Sequence, residues 1–539
     1  MADQTAVDTE VLIAGAGPVG LALGLELQRF GLRFRIVEKK AQRSATSKAL
    51  GLQPRVSEVF AILGLRDEFH ARGFGDIRAV NFRSGPKTLL RVPIRPPPDQ
   101  AGRGACQPCM LIIPQSNTEE ILERTLAMRG QAVERRRELV GFEQGRDNVR
   151  TRIRHEDGEE TIVSKFLVSC EGAHSLIRKQ AGFSFGGTTM PMRFLLADVT
   201  IDWDLPENEV QAWFHRDGVF GALPFGGQKW RLIIERALNP AAAPEEEVTL
   251  SLVQRIATER GVRPGLRIHD PVWLSDFRIN ARMVDRFRDR RVFVAGDAAH
   301  IHSPLGGQGI ATGIQDASNL AWKLFAVLRH GAPDSLLDTF EEERKPIARA
   351  VLRETSAASN LVFRMSFVLR FIRERIVFPI LRTDLAQRLL FAKVSQLQIR
   401  YRSSLAVHEK GALAQVRIRA GDRAPDVVFA EAETMVSLFE LLGKFGWIAL
   451  LGPGRNNSRL IGSLGQLNIH AAVVSDQGGL RDVYLDFFRL YGATGTFLYL
   501  IRPDGHVGLF QGEANLRSLA HYLKKLRGAD AVAKVFELG

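Results

Sequence analysis

The first apolar run, Val11-Leu12-Ile13-Ala14, is flanked by acids on one side and glycines on the other, a pattern that predicts a short buried strand. Residues 21–30 carry apolar positions at helical spacing, and Phe34-Arg35-Ile36-Val37 predicts a second strand ending at Glu38. The pattern returns at Val292-Phe293-Val294-Ala295, followed by a helix over about residues 310–328. Between these, residues 194–199, 210–215 and 230–235 read as strands of an antiparallel sheet. Beyond about residue 415 come strands near 447–451, 469–474 and 497–501, the hairpin turn Arg502-Pro503-Asp504-Gly505, and a last helix over about 516–526. Residues 361–381 mix apolar side chains with Arg364, Arg370, Arg373 and Arg375. At about 100° per residue these arginines fall on opposite faces, so the segment reads as helices packed between domains and not as an interfacial helix.

Composition narrows the class. The 539 residues, 45% hydrophobic and 25% charged, are ordinary for a globular chain of about two to four domains. Asp3, Asp8 and Glu10 stand where a basic and then apolar leader would be, and no apolar run approaches the roughly 18 residues of a membrane span. The expectation is a cytoplasmic protein without a signal peptide or transmembrane span. The net charge of +13 is scattered arginine with no nucleic-acid-binding motif, which fits steering of an anionic cofactor and no nucleic acid partner. Of three cysteines, Cys106 and Cys109 form a CxxC in a loop-like stretch after three prolines, without the strand-to-helix setting of a redox pair or the second pair of a zinc site. No metal site is expected.

Two glycine-rich segments carry the chemistry. In Gly15-Ala16-Gly17-Pro18-Val19-Gly20, between the first strand and first helix, Gly15, Gly17 and Gly20 permit a tight turn, close approach to a diphosphate, and close helix-to-strand packing. Glu38 stands where an acid binds a ribose hydroxyl and repels a 2′-phosphate, so FAD or NAD fits better than NADP. The second segment follows the strand at 291–295. There Gly296-Asp297 can meet a ribityl chain, Ala298 and Ala299 keep the approach narrow, and Pro304 stiffens the loop. Gly306-Gly307-Gln308-Gly309, leading into Ile310-Ala311, offers backbone N–H groups to the N1–C2=O edge of an isoalloxazine. Together, in this order, the segments describe one flavin held at both ends.

With Glu38, residues 170–178 (CEGAHSLIR), the continuation 316–324 (DASNLAWKL) and residues 336–346 (LLDTFEEERKP), these segments resemble the group A flavoprotein aromatic hydroxylases, which include phenol hydroxylase and the 3-(3-hydroxyphenyl)propionate hydroxylases. The resemblance spans most of residues 10–350. It implies an α/β fold: a Rossmann-type FAD-binding domain (1–185 and 270–400), an inserted antiparallel-sheet substrate domain (186–269, with contributions from about 75–113) and a C-terminal thioredoxin-like domain (415–539). It also implies flavin-phosphate contacts at Lys48 and Gln53, an adenosine-end contact at Gln115 with Glu119 as helix structure, and pyrophosphate and nicotinamide placement by Glu171-Gly172. Two departures stand out: Glu171 replaces the family aspartate, and Ile310-Ala311 replaces Met-Asn.

The implied activity is FAD-dependent and NAD(P)H-using, with oxygen from O₂ passed through a flavin C4a-hydroperoxide to an aromatic substrate, phenolic or polycyclic. All five tyrosines lie beyond residue 400, so the tyrosine that several phenol-type hydroxylases place near substrate is missing here. His215 and His302 remain as candidate bases and Arg282 as a residue facing flavin or nicotinamide. Trp213, Phe220, Leu223, Pro224 and Phe225 are candidate pocket walls. No cysteine follows Cys170, so the C-terminal domain cannot exchange thiols and is left with a packing or dimerising role, a homodimer included. A Baeyer–Villiger or epoxidising monooxygenase stays open, as does a flavin-bearing interaction protein with idle redox chemistry. A flavin halogenase is disfavoured, because the tryptophans include no W-x-W pair.

Overall fold

The computed structural model describes residues 7–43, 50–75, 77–94, 103, 105, 110–236, 247–303, 306–363, 371–411, 415–475 and 479–536. Lys48, Cys106, Cys109 and Pro304 lie outside the described residues.

Three eight-stranded sheets organise the molecule. In the first, Thr9–Ala14 lies between Gly158–Ser169 and Phe34–Glu38, all parallel, with Val292–Val294 and Val133–Arg135 continuing the parallel order outward. Its central strand is apolar at successive positions because both faces are covered. Val11 and Ile13 pack under the helices, whereas Leu12 and Ala14 pack against Leu139 and Ile153 of an antiparallel ribbon, Glu138–Gln144 with Val149–His155. The helices Pro18–Arg29 and Gly309–His330 share that first core.

The second sheet is antiparallel from His300–Ile301 through Arg267–Val284, Phe185–Asp202, Lys229–Arg236 and Gly218–Gly226 to Glu209–His215, then takes Ala79–Ser84 in parallel and Lys87–Pro93 at its edge. Its last long strand runs on to Val284, past the boundary near 269 drawn from the sequence, and ends paired with His300–Ile301 of the flavin-loop segment. One face packs on the helix Leu250–Glu259 through Trp213, Phe220, Trp230 and Ile234. The opposite face carries Phe82, Phe194, Phe214, Ile279 and, toward the first domain, Val210, Leu223 and Phe225.

The third sheet, from the C-terminal part, has Ile448–Leu451 parallel to His470–Ser475 and antiparallel to Leu498–Ile501, which pairs antiparallel with Val507–Gln511. The segment expected to pack between domains does so only in part. Residues 364–370, with Arg364 and Arg370, lie outside the described residues; Phe378 is buried against the second sheet, but Phe371, Ile376 and Ile380 are each about half exposed. Among the described residues no helix is long and apolar enough to cross a membrane.

Candidate cofactor and active site

The first glycine segment divides into residues the protein itself requires and one it does not. Gly15 has φ +104°, and a Cβ there would lie 2.4 Å from the Cys170 carbonyl oxygen; at Gly20 a Cβ would lie 2.0 Å from the Gly15 carbonyl oxygen. Gly17 has an ordinary extended backbone and no atom within 4 Å of where its Cβ would be. It forms a cradle that a side chain would fill. Gly17 is also the N-cap of Pro18–Arg29 and supplies no side-chain cap, so the first-turn N–H groups point out toward that cradle, as a diphosphate requires. Pro18 has no N–H to leave unpaired at the first helical position.

Glu38 closes its strand with Oε2 accepting from the Ala16 amide at 2.9 Å and Oε1 from the Lys40 amide at 3.0 Å. A carboxylate has about four lone-pair positions, so it retains capacity for a ribose diol. Nearby, Gln115 donates to Glu119 at 2.8 Å, and burial raises the Glu119 carboxyl above its usual range while that hydrogen bond opposes the shift. A cleft of about 640 Å³ opens beside Gln115, lined in part by Gln42, Arg43, Asn117 and Arg135.

The second segment meets the first across the parallel sheet. Gly296 (φ +59°) and Gly313 both close on Val19 of the first segment, where added Cβ atoms would lie 2.7 and 2.6 Å from its Cγ2. Asp297 is the exposed residue of the turn Gly296–Ala298. Gln308 caps Gly309–His330 without a side-chain hydrogen bond, leaving the amides of Gly309, Ile310 and Ala311 without intrahelical acceptors. Gly307 (φ +61°) packs against Gly51, and Gln53, almost fully buried, donates through Nε2 to the Gly306 carbonyl at 2.5 Å. Gln53 therefore acts on the flavin loop itself.

Glu171 turns inward. Its Oε2 accepts from Ser169 Oγ (2.9 Å), Ser175 Oγ (2.7 Å) and the Ile177 amide (3.1 Å), so it caps the short helix Leu176–Gln180. The extra methylene over aspartate gives the reach to that helix end, and Gly172 has φ +77° with open space at its Cβ position. Arg178 then joins the two loops, donating to the carbonyls of Ala173 (2.7 Å) and Ala298 (3.1 Å) while lying 3.9 Å over the Phe185 ring. Cys170 is buried, and burial raises its thiol far above the ordinary range, with Asp316 and Glu171 adding to the shift; it is no nucleophile.

Beneath Gly296 lies a buried group of residues whose role no local pattern reveals. Asp316 Oδ2 accepts from the Gly296 amide (3.1 Å) and faces His300 Nε2 (2.7 Å), while Oδ1 accepts from Arg344 Nε (2.7 Å). Arg344 also donates to the Thr312 carbonyl at 3.0 Å and the Tyr401 hydroxyl at 2.7 Å. Burial alone would raise the Asp316 carboxyl, but His300 and Arg344 hold it below its ordinary value. Tyr401 is thus one arginine away from the flavin loop, although it stands beyond residue 400.

The three candidate catalytic residues separate. His302 adjoins Gly309: its Nδ1 donates to the Ser303 carbonyl at 3.0 Å, and its buried Nε2 has no hydrogen-bond partner among the described residues. A Cβ on Gly309 would lie 3.8 Å from that nitrogen. Burial, with His300 adding to it, pushes the ring down to about pKa 4, so it is a neutral acceptor at pH 7. Arg282 is one strand away, in register with Ile301, and donates to Thr189 Oγ1 at 3.3 Å. His215 lies at the far tip of its hairpin, paired with Gly218, where its Nδ1 accepts from the Asp217 amide at 3.3 Å. At ~3.3 Å per residue it stands about 16 Å along the strand from Val210, which packs beside the flavin-loop side of the sheet. We expect His215→Ala to leave kcat for hydroxylation within about twofold and its pH profile unmoved, measured by product formation at saturating substrate; its contacts are those of a surface turn. Of the candidate walls, Trp213 and Phe220 face the helix Leu250–Glu259 and are core, whereas Leu223 and Phe225 are half-buried beside Leu50 and Ile112.

The geometry fits an extended dinucleotide: one uncapped helix end at Gly17 for a diphosphate, an acid for a ribose, a second uncapped helix end at Gln308, 291 residues later, and beside it an imidazole nitrogen without a partner among the described residues. Residues 8–355 match the model of the FAD binding domain family. A flavin-dependent monooxygenase of Mycobacteroides abscessus is 34% identical over 535 residues, 96% of this chain and 99% of the relative. The 12-dehydrotetracycline 5-monooxygenase/anhydrotetracycline 6-monooxygenase of Streptomyces rimosus is 36% identical over 66% of this chain and 70% of its own. Among solved structures, the complex of aklavinone-11 hydroxylase with FAD and aklavinone superposes with a TM-score of 0.79 at 25% identity, covering 99% of this chain and all of the other. The chain belongs to this FAD-binding family, and it is an FAD-dependent aromatic monooxygenase with NAD(P)H, the reductant typical of the family, as its electron source.

Proposed function

We propose that the protein hydroxylates a polycyclic aromatic compound bearing a phenolic hydroxyl, bound between the flavin loop and the face of the second sheet that carries Val210, Leu223 and Phe225. The observation that carries this reading is the buried Nε2 of His302 beside Gly309, which has no hydrogen-bond partner among the described residues. The tetracycline-type and aklavinone-type names of the relatives support a multi-ring substrate. Bound FAD, reduced by NAD(P)H, supplies the activation of O₂ for transfer to an aromatic carbon. The protein's part is placement. The amides at Gly17 and at Gly309-Ile310-Ala311 fix the two ends of the cofactor, with Gly15, Gly20, Glu38, Gln53, Gln115, Gly172, Gly296, Asp297 and Gly307 around it.

His302, neutral near pH 7, accepts a hydrogen bond from the substrate hydroxyl and so fixes which ring carbon faces the flavin; with a pKa near 4 it orients the proton and is a poor acceptor for carrying it away. Arg282 lies one strand over, in register with Ile301. We expect His302→Ala to lower kcat about 10- to 100-fold, the range for loss of one well-placed hydrogen bond, with FAD still bound; unchanged kcat and product pattern would remove His302 from the site.

The C-terminal strand order, with Ile448–Leu451 parallel to His470–Ser475 and antiparallel to Leu498–Ile501, which pairs antiparallel with Val507–Gln511, supports a thioredoxin-like domain. The need for NAD(P)H supports a cytoplasmic location. The test is a panel of polycyclic phenols assayed for NAD(P)H oxidation and product mass together. Oxidation that accelerates with one compound and a product heavier by one oxygen supports the proposal. Oxidation indifferent to every compound would favour the idle-flavin reading.

A further inference from the structure

The turn at residues 502–506 is buried against three helices of the FAD-binding domain, Pro54–Ile62, Gly309–His330 and Asp338–Phe363, the last carrying Glu343. Arg502, fully buried, donates to both oxygens of Glu343 (2.7 and 2.8 Å) and to Asp504. Asp504 Oδ2 accepts from Asn319 Nδ2 and Trp322 Nε1, both at 3.2 Å, on the helix Gly309–His330. The Asp504 carbonyl accepts from Arg55 at 2.6 Å, on the helix Pro54–Ile62, and Arg55 is bound in turn to Glu58, which Arg423 of the C-terminal part also grips. The His506 ring packs at 4.3 Å, tilted by 40°, against Tyr401, the partner of Arg344.

Two of these helices end on the flavin loop. Pro54–Ile62 has Gln53 as its N-cap, the residue that holds the Gly306 carbonyl. Gly309–His330 begins at that loop and carries Asp316, which holds the Gly296 amide. A third arm is Gln396, which donates to Gln308 Oε1 (3.2 Å) and Thr312 Oγ1 (3.1 Å) at the start of the long helix, while Arg423 donates to the neighbouring Leu397 carbonyl. All of these groups are buried, so the arrangement cannot relax toward water without leaving charges unpaired.

We propose that the turn at residues 502–506 positions the flavin loop, with Arg502 and Asp504 as positioning residues that act through the two helices on Gly296 and on residues 306–309. The C-terminal domain is then a working part of the cofactor site although none of its atoms need touch FAD. The proposal rests on the placement of FAD at those loops.

The experiment uses full-length protein. The dissociation constant for FAD is measured by flavin fluorescence, the visible flavin absorption at saturating FAD is recorded, and the apoprotein unfolding midpoint is taken, for wild type, Asp504→Asn, Arg55→Lys and Phe487→Leu. Phe487 is a core residue of the C-terminal domain that makes none of the contacts above, and it sets the effect of destabilisation alone. Asp504→Asn is expected to raise the FAD dissociation constant tenfold or more and to change the visible flavin bands, with Arg55→Lys a smaller change of the same kind if Asp504→Asn does not fold. Phe487→Leu should lower the unfolding midpoint and leave FAD binding within twofold. The proposal is overturned if Asp504→Asn and Arg55→Lys change FAD binding no more than Phe487→Leu does at equal loss of stability. A wild type that binds no FAD would instead refute the placement of the cofactor.

Discussion

Gly17→Ala is expected to yield an apoprotein whose thermal unfolding matches wild type but whose FAD affinity falls by about 5- to 150-fold, the equivalent of the ~1–3 kcal/mol that overpacking costs. The asymmetry comes from the protein's own geometry. Gly17 has an ordinary extended backbone, and its Cβ would meet no protein atom within 4 Å. An alanine there costs the apoprotein nothing in strain and meets only what lies in the cradle in front of the helix. At Gly15 or Gly20 the same substitution would drive a methyl to 2.4 or 2.0 Å from a backbone carbonyl oxygen and damage the fold itself. The paired measurement is therefore an unfolding midpoint without flavin and a fluorescence titration with FAD. A drop in apoprotein stability equal to that of Gly20→Ala would show that Gly17 serves packing and that the diphosphate is held elsewhere.

This distinction also marks how far the sequence could be read. The order of strand, glycines, helix and acid is local, and local order is what periodicity and turn chemistry report; hence Thr9–Ala14, Pro18–Arg29 and Phe34–Glu38 were legible as elements and as a dinucleotide grip. The sense of a side chain within its element was not. Glu171 reads as a ligand contact by its place in the motif, yet the two serines and the helix end beside it turn it inward. Trp213 and Phe220 look like pocket walls by composition, but strand alternation puts them on the face covered by Leu250–Glu259, a helix whose position no local signal gives. His215 fell on a strand as expected, and only the hairpin partner Gly218 reveals that it sits at the far end.

Long-range charge pairing was wholly hidden. Arg502 meets Glu343 across 159 residues and Arg344 meets Asp316 across 28, and nothing in the composition of a helix says which buried carboxylate a distant arginine will find. What the sequence did offer was incongruity at Asp316 and Lys323, which stand among apolar helical positions where unpaired charge would be untenable, whereas Glu343 and Arg344 sit in the charged run 341–345 and give no such sign. Such residues mark a buried network before its members can be paired. Tyr401 is a related case, because it meets Arg344 from a part of the chain that looked remote.

The larger effect on stability is expected at that network. Arg344→Met should cost about 3–5 kcal/mol, the range for breaking a buried ion pair by removing one partner, seen as a marked fall in the urea midpoint of the apoprotein. The guanidinium makes three hydrogen bonds with no exposure to water, and methionine fills the volume while leaving Asp316 with His300 as its remaining charge partner. The pH dependence has a definite sign. Asp316 is held below its unfolded value in the native protein, so it contributes stability that is present above the unfolded carboxyl pKa and is lost as pH falls through the lower, folded value. Arg344→Met weakens that depression. The variant should therefore differ most from wild type near neutral pH, and the gap should narrow on acidification as both carboxyls become neutral. Asp316→Asn placed in the Arg344→Met background should restore part of the loss, because no uncompensated charge then remains, and the double variant should be more stable than the two single losses add up to. Equal and additive losses at every pH would mean that the pair is not coupled and that Gly296 is held by its backbone contacts alone.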